Sequence, residues 1–324
     1  MYTCTMQIVV LDGYTLNPGD LSWTELQKLG AVKVYDRTSE DQVVERARDA
    51  ELILTNKVVL NRAILEQLPK LKYIGVTATG YNIIDLECAQ EQGIVVSNVP
   101  GYSTGAVAQL TFAFLLEICL HVQKHSDAVR AGRWSQSPDF SFWDYPLMEL
   151  EGKTLGIFGF GQIGQRVADI AHAFGMQVLA HSRTRTNQDH RKGFQWVSQE
   201  TLFRQSDFIS LHCPLTSETQ GLVNRDTLAL MQNTAYIINT GRGPLIVEAD
   251  LAEALNTHQI AGAALDVLSK EPPTKDNPLL SAENCLISPH IGWASREARI
   301  RLLDITLENI AAFLQGKPLN QVHA

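Results

Sequence analysis

The stretch GFGQIG, Gly159 to Gly164, begins at the end of a short apolar run, Thr154 to Phe160. It leads into a segment where Val167, Ile170, Ala171 and Phe174 recur at helical spacing until Gly175. A second strand-like run, MQVLAHS, follows. Three glycines alone are ordinary loop composition, but strand, glycine turn, helix and strand within about 30 residues is the setting in which they bind a dinucleotide. Gly159 permits the tight turn, Gly161 lets a pyrophosphate approach the backbone, and Gly164 lets helix and strand pack closely. Unpaired N–H groups at the helix start then face the phosphates. The stretch therefore predicts a Rossmann-type parallel α/β unit.

The rest of the chain extends that prediction. Before the glycine turn, MQIVVLD, AVKVYD, ELILTN, KYIGVTA and GIVVSN alternate with segments of helical periodicity, which argues for a second parallel sheet. The turn after its first strand, DGYTLNPGD, lacks the glycine spacing, so this half is not expected to hold the dinucleotide. After the fingerprint come MQVLAHS, DFISLHC, AYIINT, IAGAALDV and CLISPH. At 324 residues the chain suits two domains, each able to bury a core. The expected division is 1–102 completed by 295–324, and 103–294. The segment STGAVAQLTFAFLLEICLHVQKHSDAVRAG reads as one long helix from Ser103 or Thr104, apolar on so many faces that a domain or subunit contact must cover it. Ile300, Leu303, Leu307, Ile310 and Leu314 form a closing helical stripe that can return to the first domain.

Composition narrows the partners. A formal net charge of -8, with no dense run of Lys and Arg, offers nothing to nucleic acid or an anionic membrane. Cys4, Cys88, Cys119, Cys213 and Cys285 are odd in number and scattered, without CxxC or Cys/His metal spacing, so reduced thiols in a cytoplasm and no metal are expected. The N-terminus lacks the features of a signal peptide. The longest apolar stretch, LTFAFLLEICL, contains Glu117 and falls short of the ~20 residues that span a bilayer.

A nicotinamide exchanging hydride with a carbonyl or alcohol needs a proton partner and a group that stabilises charge on oxygen. Arg242 in NTGRGPL, Glu271 in LDVLSKEPP and His290 in CLISPH each follow a strand, and ligands of open parallel sheets bind beyond the carboxyl ends of the strands. Each also has a plainer reading, as a surface arginine, a solvated acid and a loop histidine. His212 beside Cys213 could suggest a thiol–imidazole pair, but neighbours on a strand point to opposite faces.

Taken in order and at their intervals, GFGQIG, NTGRGPLI, ALDVLSKEPP and LISPHIGWAS resemble the D-isomer-specific 2-hydroxyacid dehydrogenase family, over nearly the whole chain. VVLDGYTLNPGDLSW and FWDYPLMELEGKTLGIFGFGQIG look most like its glycerate dehydrogenase, or hydroxypyruvate reductase, branch. The resemblance implies a flavodoxin-like substrate domain beside the Rossmann domain, a cleft between them, and NAD(P)-dependent reduction of hydroxypyruvate and glyoxylate by a homodimer. It makes His290 the proton donor, Glu271 the group that favours its protonated form, and Arg242 the partner of the substrate carboxylate. Backbone N–H groups around Thr79 and Gly80 would hold that carboxylate, and Asn56 is a candidate for the substrate's other polar end. For the cofactor it implies Gln162 and Ile163 with the three glycines, Ser182 and Arg183, Cys213 and Pro214, Thr240 and Gly241, and Asp266 toward the nicotinamide amide. The acid usual after the second strand is replaced by Ser182, followed by Arg183 and Arg185, so NADPH is expected to be modestly favoured over NADH. The rivals are a dehydrogenase for another small 2-hydroxy acid, such as D-lactate or 3-phosphoglycerate, and a dinucleotide-sensing corepressor module on the same scaffold.

Overall fold

Among residues 6–323, which the computed structural model describes, the strands form two all-parallel sheets; Cys4 lies outside these residues. The first contains β1 (Gln7–Val10), β2 (Ala31–Val34), β3 (Leu52–Thr55), β4 (Tyr73–Val76) and β5 (Val95–Ser97), in the order β2-β1-β3-β4-β5. This is the flavodoxin-like order, and it reverses between β1 and β3. LILT in β3 and YIGV in β4 are buried at every position, as expected for inner strands covered on both faces. β2, at the edge, alternates exposed and half-buried residues.

The second sheet is built from β6 (Thr154–Phe158), β7 (Gln177–His181), β8 (Phe194–Trp196), β9 (Phe208–Leu211), β10 (Tyr236–Asn239), β11 (Gly262–Leu265) and β12 (Cys285–Ile287). Its order, β12-β11-β10-β9-β6-β7-β8, is doubly wound with the reversal between β6 and β9. β8 has no counterpart in the sequence reading. It is only three residues long and forms by pairing with β7, where Phe194 stands opposite Val178, and by edge-on packing of Trp196 against Phe160.

The chain divides into two compact units, residues up to Ser103 with those from Ala294 on, and Thr104–Trp293. The C-terminal helix Arg296–Leu314 packs Ile310, Leu307 and Phe313 onto the core beside Tyr73. Beyond it, Val322 N–H donates to Val96 O. The single long helix expected from Ser103 is instead two, Thr104–Leu120 and Val122–Arg130, bent by 57°. The break is His121, whose φ of 48° is left-handed and cannot continue a right-handed helix. Its carbonyl is satisfied by His125 Nδ1 at 2.9 Å. Among the described residues no single helix is long and apolar enough to cross a membrane.

Candidate active site

At the end of β6, Gly159 adopts a φ of 95°, and a Cβ there would collide with the backbone of His212 and Cys213 where β9 ends. A Cβ on Gly164 would meet Gly159 O, so this glycine sets how closely the following helix approaches the turn. Gly161 differs, because a side chain there would point into open space. It is the N-cap of the helix Gln162–Ala173, and no side chain caps that helix start. An open approach to uncapped N–H groups fits a pyrophosphate, so these residues suit a dinucleotide. Ile163 is half-buried and Gln162 exposed. Burial pushes the Cys213 thiol up to about 11 and the His212 imidazole down to about 4. Both are neutral near pH 7, and His212 Nε2 lies 2.8 Å from Ser210 Oγ rather than on the thiol.

After β7, Ser182 is half-buried and Arg183 exposed. Arg185 is tied back, with Nη2 donating to Val197 O at 3.2 Å and its guanidinium over Trp196. Thr240, at the end of β10, is buried with its hydroxyl 3.4 Å from that of Thr111. Gly241 N–H donates to Asn239 Oδ1 at 3.0 Å, and Asn239 Nδ2 donates to Arg242 O at 2.9 Å, so one buried asparagine shapes the arginine loop from both sides.

Arg242, Glu271 and His290 follow β10, β11 and β12, three adjacent strands. A Cβ on Gly243 would clash with the backbone of Leu268 and Ser269, so the arginine loop lies directly against the segment leading to Glu271. Glu271 Oε1 accepts Leu268 N–H at 3.0 Å, and Oε2 lies 2.6 Å from His290 Nδ1. Partial burial pushes the Glu271 carboxyl up, but the hydrogen bond and charge of His290, the Leu268 N–H and the charge of Arg242 together outweigh it and hold it below the usual range. The Arg242 guanidinium is exposed; among the described residues it bonds to Gly241 O and pairs with no carboxylate.

His290 has a φ of 55°, an uncommon conformation for a residue with a side chain. Asp266, buried at the end of β11, holds it there. Its carbonyl accepts His290 N–H at 2.8 Å. Its Oδ1 accepts the Ser288 hydroxyl at 2.5 Å and Ile291 N–H at 2.8 Å, and Oδ2 accepts Gly292 N–H at 2.8 Å. The family resemblance points Asp266 toward the nicotinamide amide, and nothing in the sequence announces that it also holds the histidine loop.

In the smaller unit, Asp12 is buried at the end of β1, and desolvation raises its carboxyl although it accepts backbone N–H groups from Asn56 and Lys57. The Asn56 side chain is turned inward, with Nδ2 donating to Thr77 O at 2.6 Å. Thr79 is exposed and Gly80 half-exposed in the loop after β4.

Residues 112–292 match the family model described as D-isomer specific 2-hydroxyacid dehydrogenase, NAD binding domain. The chain belongs to the D-isomer-specific 2-hydroxyacid dehydrogenases. It is 50% identical over 321 residues to a hydroxypyruvate reductase of Blautia hydrogenotrophica, covering 98% of this chain and 100% of that protein. It is 38% identical over 323 residues to a glycerate dehydrogenase of Methylorubrum extorquens, covering 99% and 100%. Among solved structures, an acyclic imino acid reductase in complex with NADPH and D-Arg superposes with a TM-score of 0.85 at 33% identity, covering 98% of this chain and 100% of that one. Within this dehydrogenase chain, the signals that could have exposed the hidden anchors are weak, because Asp266 sits inside an apolar run, AALDVL, that reads as core.

Proposed function

We propose that the protein reduces hydroxypyruvate, and also glyoxylate, to the D-hydroxy acid. The observation that carries this is the His290–Glu271 pair at 2.6 Å, beside an Arg242 that pairs with no carboxylate among the described residues and in the same unit as the glycine turn. A bound reduced nicotinamide supplies the hydride. With Nδ1 committed to Glu271, the other ring nitrogen of His290 is left to deliver the proton to the carbonyl oxygen, and the carboxylate stabilises the imidazolium before transfer. Arg242 offers a charged planar fork to the substrate carboxylate and to the charge developing on oxygen. In the smaller unit, the backbone N–H groups at Thr79 and Gly80 are the candidates for binding the substrate carboxylate. Loss of NAD(P)H absorbance across a panel of 2-oxo acids tests the reading. Hydroxypyruvate should give the highest kcat/KM, and no turnover with any member, or a preference of about tenfold or more for pyruvate or 3-phosphoglycerate, would overturn it.

We also infer a cytoplasmic homodimer that accepts NADPH. Much of the helix Thr104–Leu120 is already buried, including Phe112, Phe114, Leu115 and Ile118. Uncovered apolar surface remains at its last residue, Leu120, and beyond it at Trp134, Phe140, Trp143 and Leu147, with Phe140 91% exposed. So large an aromatic surface favours a protein partner, and a second copy is the simplest. Light scattering should give twice the monomer mass at micromolar concentration, and a monomer mass would remove the dimer.

A further inference from the structure

Three consecutive peptide groups after β4 have their carbonyl oxygens held by the surrounding framework. Asn56 Nδ2 donates to Thr77 O at 2.6 Å, Val99 N–H to Ala78 O at 2.9 Å, and Asn98 Nδ2 to Thr79 O at 2.7 Å. A trans peptide carries its C=O and N–H on opposite sides. Fixing these carbonyls therefore turns the N–H groups of Ala78, Thr79 and Gly80 the other way, where they meet no acceptor among the described residues. Successive unpaired N–H groups of this kind are available to an anion such as a carboxylate.

Asn98 is itself locked by the C-terminal segment. Its N–H donates to Asn320 O at 3.1 Å, and its carbonyl accepts Asn309 Nδ2 at 2.9 Å. Asn320 Nδ2 closes the ring on Asn309 Oδ1 at 2.8 Å. Asn98 is 8% exposed and Asn309 2%, so their polar atoms depend on these partners. Thr79 Oγ1 adds a bond to Val99 O at 3.0 Å.

We propose that Asn98 is a positioning residue: together with Asn309 and Asn320 it orients the peptides from Thr77 to Gly80 so that their N–H groups cradle the substrate carboxylate, making the C-terminal segment part of the substrate site's scaffold. The inference rests on the reading that Thr79 and Gly80 bind that carboxylate.

Asn98→Asp is nearly isosteric and sets an acceptor against Thr79 O in place of a donor. Its KM for hydroxypyruvate should rise about tenfold or more, while kcat at saturation and dinucleotide Kd stay within about threefold. Asn309→Asp keeps the acceptor for Asn320 but loses the donor to Asn98 O, and should raise KM in the same direction by less. Gly80→Pro deletes one N–H of the cradle itself. If Gly80→Pro raises KM and Asn98→Asp does not, the positioning role is overturned and the carboxylate reading stands. If Gly80→Pro leaves KM unchanged, the carboxylate reading falls and takes the proposal with it. A lower melting temperature with an unchanged KM in Asn98→Asp would assign Asn98 to stability alone. Should Asn98→Asp not fold, Asn98→Ser and Asn309→Asp carry the test, and an unchanged KM in both overturns the proposal.

Discussion

The carboxyl edges of the two sheets present different chemistry. The larger sheet offers side chains, with Arg242, Glu271 and His290 after adjacent strands, whereas the loop after β4 in the smaller sheet offers main-chain donors. The anchors differ to match. Asp266 is a carboxylate and consumes N–H groups, those of Ile291 and Gly292, so the loop it holds has an imidazole to present rather than a peptide. Asn56 and Asn98 are amides whose nitrogens consume carbonyls, so the N–H groups of Ala78, Thr79 and Gly80 are left without an acceptor among the described residues. The kind of anchor decides which half of a peptide remains for a ligand.

The largest effect that would break this comparison lies on the side-chain edge. His290→Ala should lower turnover about a hundredfold or more with dinucleotide affinity nearly intact, because it removes a proton donor and leaves the glycine turn untouched. Stopped-flow and cofactor titration check both halves, and near wild-type turnover would take His290 out of the mechanism. Arg242→Ala should come next, raising KM and lowering kcat together, since one guanidinium is asked to hold the carboxylate and stabilise developing charge. Arg242→Lys should recover only part, because an ammonium lacks the planar fork. Unchanged KM and kcat in the alanine variant would mean that Arg242 is only a surface charge.

A third, smaller effect concerns pH. Glu271 is held below its ordinary value of 4.5, so the fold favours its ionised form. Its contribution to stability is therefore present above that value and lost as pH falls through the lower folded value. Glu271→Gln should flatten the acid side of the stability curve. Melting curves against pH measure this, and a curve for the glutamine variant that superimposes on wild type would show that the fold does not favour the ionised carboxylate.

The legible parts of the site were those whose chemistry is written in residue type and local order. The glycine spacing with its flanking strand and helix announces the turn at Gly159, and Arg242, Glu271 and His290 stand out because each follows a strand-like run and together their segments resemble the family's motifs. Most strands were readable because inner parallel strands are continuous apolar runs, and β8 was not, because Phe194–Trp196 owes its state to β7. The anchors were hidden for the same reason. Asn98 and Asn309 are 211 positions apart, and neither sits in a local pattern that announces a hydrogen bond between them. The left-handed backbone at His290 likewise depends on Asp266, a tertiary partner that a loop pattern does not encode.

The smallest expected effect is on cofactor choice, and it asks whether a side chain outside the catalytic edge reads its ligand as directly as those on it. A carboxylate at the end of β7 would accept a hydrogen bond from the adenosine ribose 2′-hydroxyl and repel a 2′-phosphate, whereas a nearby arginine accommodates the phosphate. Ser182 removes the repulsion. Of the two arginines that follow, Arg185 is drawn back onto Val197 O and Trp196, while Arg183 is exposed and pairs with no carboxylate among the described residues, so Arg183 is the one available to a phosphate. Wild type should therefore favour NADPH modestly, by about two- to fivefold in kcat/KM, and Ser182→Asp should reverse the preference mainly by raising KM for NADPH. Arg183→Ala should reduce the NADPH value and leave NADH nearly unchanged, whereas Arg185→Ala should change neither ratio. A wild type that prefers NADH by about tenfold, or an aspartate variant that keeps its NADPH activity, would show that this loop does not read the 2′ position and that selectivity is set elsewhere in the unit.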